Sequence, residues 1–158
     1  MPLVDSFMED ERVHRQNLAD AVNGLQVLGT FTPTLISFDG TNPSVTYVTQ
    51  SGRYTKVGNH VIGEFDLAIS AHSLGTGRPA IGGLPFTAHP QQVNGGFSLP
   101  TVSNLNLTAG YSQFSLAVNL NTTNALLVQL GDNVGAANFA FTDVAANFAM
   151  VGQVIYEV

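Results

Sequence analysis

The chain has 158 residues, enough for one domain with a real core and too few for two full ones. It holds no cysteine, which excludes disulfides and thiolate metal sites, and no tryptophan. Five basic against eleven acidic residues give a net charge of -6, and only 10% of residues are charged, where about 25% is usual. Outside the first segment the only basic residues are Arg53, Lys56 and Arg78, too few for a nucleic-acid surface. No apolar stretch approaches the ~20 residues of a membrane span. Residues 1–10 are acidic where a signal peptide would be basic, so the expectation is a soluble chain, not secreted by that route and not inserted in a membrane.

Charge is unevenly placed. Residues 1–24 carry Asp5, Glu9, Asp10, Glu11, Arg12, Arg15 and Asp20, seven of the sixteen charges. The remaining body keeps itself wet with neutral amides and hydroxyls, and the mean hydropathy is +0.18. Such a surface is unusual for a free monomer. Three readings fit it: burial against copies of itself or a larger assembly, contact with uncharged sugars, or simply a large core.

In chain order, residues 6–22 read as a helix. Ser6 is a capping residue, Glu9, Asp10 and Glu11 follow where the helix dipole favours acids, and Asn23-Gly24 is a stop signal. A heptad frame puts Phe7, His14, Ala21 and Leu28 at one core position and Glu11, Leu18 and Leu25 at the other. Glu11 and His14 interrupt it. The segment is therefore read as a short amphipathic helix that docks on another protein through Phe7, Met8, Leu18 and Val22, with a self-associating stalk as the competing reading.

From Leu28 onward the texture changes to short β-branched and aromatic runs separated by Gly, Asn and Pro. Residues 53–57 and 60–70 flank Gly58-Asn59, a two-residue hairpin turn of the kind that needs positive φ. In the return strand Val61, Gly63, Phe65, Leu67 and Ile69 share one face, and Ile62, Glu64, Asp66, Ala68 and Ser70 the other. Further strands are expected at 31–38, 45–49, 80–86, 97–99, 105–108, 114–120, 125–130, 138–142 and 150–158. Gly40, Gly52, Gly75, Gly77, Gly95, Gly96, Gly110, Gly131 and Gly135 fall between these runs, where turns belong. Spacings near ten residues predict an all-β antiparallel sandwich or barrel, with a jelly-roll-like sandwich as the first choice. The expected division is an attachment helix or arm at 1–28 and a sandwich at 29–158.

Chemistry-bearing patterns are scarce. Glu64 and Asp66 project from one face about 7 Å apart, a glycosidase-like separation, but opposite the apolar face, where solvated acids belong. His14, His60, His72 and His89 lack metal-ligand spacing. Gly75-Thr76-Gly77-Arg78-Pro79 lacks the Gly-Lys-Ser/Thr ending of a phosphate loop and reads as a turn. Asn106-Leu107-Thr108 and Asn121-Thr122-Thr123 match the glycosylation pattern but read as ordinary polar positions. No catalytic, metal or cofactor site is predicted, and no enzymatic activity.

Three segments carry a resemblance. Thr30-Phe31-Thr32-Pro33-Thr34-Leu35, then Ser51-Gly52-Arg53-Tyr54-Thr55-Lys56-Val57-Gly58-Asn59-His60-Val61, then Ile81-Gly82-Gly83-Leu84-Pro85-Phe86-Thr87-Ala88, resemble a module of tailed-bacteriophage fibre and spike proteins. Phe31 stands where that family usually has Trp, and Val57 where Ile is common. The match covers residues 29–88. It implies a homotrimeric β-sandwich head on a virion, often at the tip of a tail fibre, contacting a host surface glycan; joining to other virion proteins is expected of the N-terminal helix, from its different, charge-rich composition. Family members are often the last domain of much longer chains, whereas this sequence opens with Met1 and a short helix. A short tail fibre is the first reading, a trimeric capsid cement or decoration protein the alternative.

Overall fold

The computed structural model describes residues 3–91 and 97–158, with side chains described at 8–18, 25–91 and 101–158. One helix, α1 (Leu3–Gly24), precedes ten strands: β1 (Gln26–Phe31), β2 (Thr34–Ser37), β3 (Val45–Val57), β4 (His60–His72), β5 (Pro79–Gly82), β6 (Phe97–Leu105), β7 (Gln113–Val118), β8 (Ala125–Gly131), β9 (Val134–Asn138) and β10 (Val144–Glu157). They form two antiparallel sheets packed face to face. One runs β1-β3-β4-β10-β6; the other runs β2-β5-β8-β7, with β9 also paired to β8. The chain changes sheet at β1–β2, β2–β3, β4–β5, β5–β6, β6–β7 and β9–β10. The all-β sandwich read from the sequence is the observed fold.

The core lies between the sheets. From β4 come Val61, Phe65, Leu67 and Ile69, from β10 Phe148, Met150, Val154 and Tyr156, and from the facing sheet Leu35, Ile81, Leu116 and Leu127. The alternation read along residues 61–70 therefore assigns the two faces of β4 correctly: these four are buried, and Ile62, Glu64 and Asp66 point outward.

Several boundaries differ from expectation, each for a local reason. The run 31–38 is two strands in different sheets, because Pro33 has no N–H to continue the ladder and the chain crosses there. Runs 45–49 and 53–57 are one strand, β3. Gly52 lies inside it, not in a turn, since a Cβ there would stand 2.7 Å from the Phe31 ring. Gly131 and Gly135 are likewise strand residues. The runs 97–99 and 105–108 give way to the single strand β6, and 138–142 to the end of β9 and a 3-10 turn at Phe141–Asp143. β10 begins at Val144, not at residue 150. β1 begins at Gln26, paired with Val57; Gly95 and Gly96 lie outside the described residues.

The turn at Gly58-Asn59 closes β3 on β4 with Val57 opposite His60 and Gly58 at φ +59. A Cβ on Gly58 would meet nothing within 4 Å, so substitution there costs backbone strain alone. Gly58→Val is expected to lower stability by about 1–3 kcal/mol. Chemical denaturation tests this, and an unchanged midpoint would remove the turn assignment.

Candidate functional site

The segments that carry the resemblance meet in space and form a packing unit. Tyr54 sets its ring edge-on to Phe86, centroids 5.1 Å apart at 86°, and the Lys56 ammonium lies 5.9 Å from the Phe86 centroid. Lys56 Nζ also donates to the Gly58 carbonyl. The Tyr156 hydroxyl donates to the Phe86 carbonyl and accepts from the Phe86 N–H, each at 3.2 Å. The Phe31 ring covers Gly52, and the Tyr54 hydroxyl approaches Gly29. The Tyr-Thr-Lys hairpin and the Leu-Pro-Phe segment thus stabilise one another, which is a folding role.

Burial raises the Tyr156 hydroxyl pKa to about 12, against the lowering effect of its bond to Phe86. The unfolded value is near 10, so the folded state holds this proton longer. Its stabilising contribution is complete below pH 10 and is lost as pH rises through 12. Unfolding midpoints are expected to fall between pH 10 and 12 in the parent and to fall less in Tyr156→Phe. Equal slopes would contradict the assignment.

The outward face of the first sheet is ordered in cross-strand rows. Thr30, Arg53, Glu64 and Gln153 stand in register across β1, β3, β4 and β10. Arg53 Nε donates to Glu64 Oε2 at 2.5 Å, and Gln153 Nε2 donates to Glu64 Oε1 at 3.5 Å. Gly52 and Gly152 make the floor of an open groove of about 700 Å³ whose walls include Ser51, Arg53, Glu64, Asp66 and Gln153. The Glu64 carboxylate is thus spoken for by a guanidinium and an amide in an open setting, unlike the enclosed acid that glycoside hydrolysis uses. One row away, Leu28, Thr55, Ile62 and Ile155 stand in register and carry no charge. Leu28 is 69% exposed, and Ile62 and Ile155 are exposed as well.

The N-terminal helix and the 58–59 turn lie at one end of the sandwich, where Val158 N–H donates to the Asn59 carbonyl. The loops at 38–44 and 73–78 lie at the other end and are tightly cross-braced. Ser37 Oγ donates to the Thr76 carbonyl and accepts from Gly40 N–H, Asn42 Oδ1 accepts from Ser37 N–H, and Thr76 Oγ1 accepts from Thr41 N–H. Asp39 takes the Arg78 N–H and Nε at 2.9 and 2.8 Å, which holds its carboxyl below the ordinary value. The Arg78 guanidinium lies 4.6 Å from the Phe38 centroid. The Gly75-to-Pro79 stretch is therefore a braced turn and the start of β5.

Of the four expected helix anchors, Met8 and Leu18 are 69% and 63% exposed, while the side chains of Phe7 and Val22 lie outside the described residues. The histidines do not converge. His14 is exposed on α1, His60 pairs with Glu157 at 3.3 Å, and His89 Nδ1 accepts from Gln91 N–H. Both ring nitrogens of His72 face backbone carbonyls, of Ser73 and Val144. Among the described residues no group of three or more His, Asp and Glu could hold a metal ion, and no helix is long and apolar enough to cross a membrane. Asn121 sits in a turn at φ +56, and Asn106 in the loop after β6.

No protein-family model matches the chain, and no curated protein matches it. Among solved structures it is similar to the crystal structure of the Dettilon tailspike protein, gp208, with a TM-score of 0.67 at 18% identity. The likeness covers 84% of this chain and 24% of that one, so the chain spans about a quarter of the tailspike's length. At that identity the likeness is one of fold.

Proposed function

We propose that the chain is a virion structural protein of a tailed bacteriophage, a short trimeric tail fibre whose β-sandwich head faces the host and binds a surface glycan. The observation that carries this reading is the sandwich shared with a tailspike over 84% of the chain, together with the hairpin and Leu-Pro-Phe segments packed as one unit. The proposed role is binding and display rather than catalysis. Phe7, Met8, Leu18 and Val22 of α1 join the head to other virion proteins. The braced loops at 38–44 and 73–78 then point away from the particle. Their exposed side chains are mostly amides and hydroxyls, which suit neutral sugars, and their bracing lowers the entropy lost on binding.

Binding of the fluorescently labelled full chain to host cells tests this reading. Retention on intact cells and loss after periodate oxidation of surface sugars is the expected result. Absence of binding, or binding insensitive to periodate but abolished by protease, would overturn the glycan assignment.

A further inference from the structure

We infer that His72 is a proton-operated strut at the braced-loop end of the sandwich. With both ring nitrogens protonated it ties the end of β4 and the 73–78 loop to the start of β10, and it releases one tie when the ring becomes neutral. It requires neither the trimer nor the glycan. The β4–β10 ladder runs from the Glu157–His60 pair to the Ala149–Ala68 pair and stops there. Beyond it, β10 reaches back to Val144, which pairs with Leu105 of β6 and follows the 3-10 turn. The His72 ring stands across this gap. Its Nε2 lies 2.9 Å from the Val144 carbonyl oxygen, and its Nδ1 lies 2.8 Å from the Ser73 carbonyl oxygen. Ser73 is itself fixed, because its N–H donates to the Ser44 carbonyl at 2.9 Å and its hydroxyl accepts from the Ser44 N–H at 2.8 Å.

A carbonyl oxygen only accepts. Neutral imidazole has one N–H and one lone pair, so it serves one of these two oxygens and turns its lone pair on the other. The doubly protonated ring donates to both, at lengths usual for charge-assisted bonds. The groups around it are neutral or already engaged. Val45 of β3 stands opposite His72, next to Ser44. The Phe141 ring of the 3-10 turn lies with its centroid 6.4 Å away, tilted by 49°. Asp143, beside Val144, turns its Oδ2 to the Ala140 N–H at 2.8 Å. In the flanking loops Asp39 and Arg78 pair with each other. The second bond of the strut therefore depends on the proton of the ring itself. In the unfolded chain water serves both nitrogens in either state, so losing the proton weakens the folded state alone. The strut is complete below about pH 6.5, where an ordinary histidine is charged, and is lost as pH rises above that range. The ends of β4 and β10 then part more readily.

Two measurements on the full chain test this. The urea midpoint is expected to fall between about pH 5.5 and 9 in the parent and to fall less in His72→Gln, whose side chain does not titrate. Over that range the unfolding equilibrium constant rises about three- to tenfold more in the parent, the worth of one hydrogen bond. The variant keeps His14, His60 and His89, so the difference between the two curves belongs to His72. Equal changes in parent and variant would overturn the strut. Nuclear magnetic resonance of the parent follows the His72 ring nitrogens together with the Ser73 and Val144 carbonyl carbons through the same range. Both nitrogens protonated at the acid end, and a carbonyl signal that moves as the ring loses its proton, are expected. If the variant does not fold, this second reading decides alone. A ring with a single proton at the acid end, or carbonyl signals that stay still while it titrates, would overturn the assignment.

Discussion

Phe148→Ala is expected to lower the free energy of unfolding by about 3–5 kcal/mol, the range for truncating a fully buried aromatic ring. Phe148 is 0% exposed, the fifth residue of β10, with Met150, Val154 and Tyr156 on the same inward face. The surrounding side chains come from both sheets, so the cavity left behind cannot close without moving one sheet against the other. Denaturation at equal protomer concentration measures the loss, because association shifts the apparent stability. A loss below about 1 kcal/mol would mean that β10 does not begin at Val144 and that Phe148 faces elsewhere.

Gly83→Ala is expected to cost about 3 kcal/mol or more, by a different mechanism. Gly83 sits at φ +80 just after β5, and a Cβ there would lie 2.1 Å from the Thr32 carbonyl oxygen. That oxygen belongs to backbone fixed by Pro33 and cannot swing aside as a long side chain could. Gly58 provides the control, with a similar φ and empty space around it. The difference between Gly83→Ala and Gly58→Ala therefore isolates the steric part. Equal losses at the two sites would contradict the close approach of the chain at Thr32 to the turn before Leu84.

These two positions also show where reading the sequence succeeds and where it stops. The hairpin at 58–59 is legible because two adjacent turn residues sit between alternating runs, and every cue lies within a few residues. Gly52 has the same residue type and the opposite role: it makes room for Phe31, a neighbour brought by strand pairing from twenty-one positions away. Sequence alone does not distinguish a glycine that turns the chain from one that lets a ring lie over it. The start of β10 is hidden likewise, because Ala145, Ala146 and Asn147 carry no strand signal and lie in an irregularity between the Val144–Leu105 and Ala149–Ser103 pairs with β6, where Asn104 Nδ2 donates to the Asn147 carbonyl. Met8 and Leu18 stand out in the pattern of a charged helix. Ile62 and Ile155 join Leu28 in one row only through the register of four strands. The apolar row next to the helix is therefore a property of the sheet and not of any one segment.

A polarised sandwich, a helix whose described side chains, Met8 to Leu18, are all exposed, and a fold shared with a tailspike fit the proposed role at the phage tail. The parts of that role fail separately: loss of glycan binding leaves a structural fibre, and loss of the trimer leaves the location unchanged. Location is the central claim. Immunogold labelling of intact particles with antibody against residues 25–158 measures it directly, with copy number per particle read from the same protein by quantitative mass spectrometry. Gold confined to the tail, with tens of copies per particle, is the expected result; gold spread over the head with hundreds of copies would contradict it and assign the chain to the capsid surface.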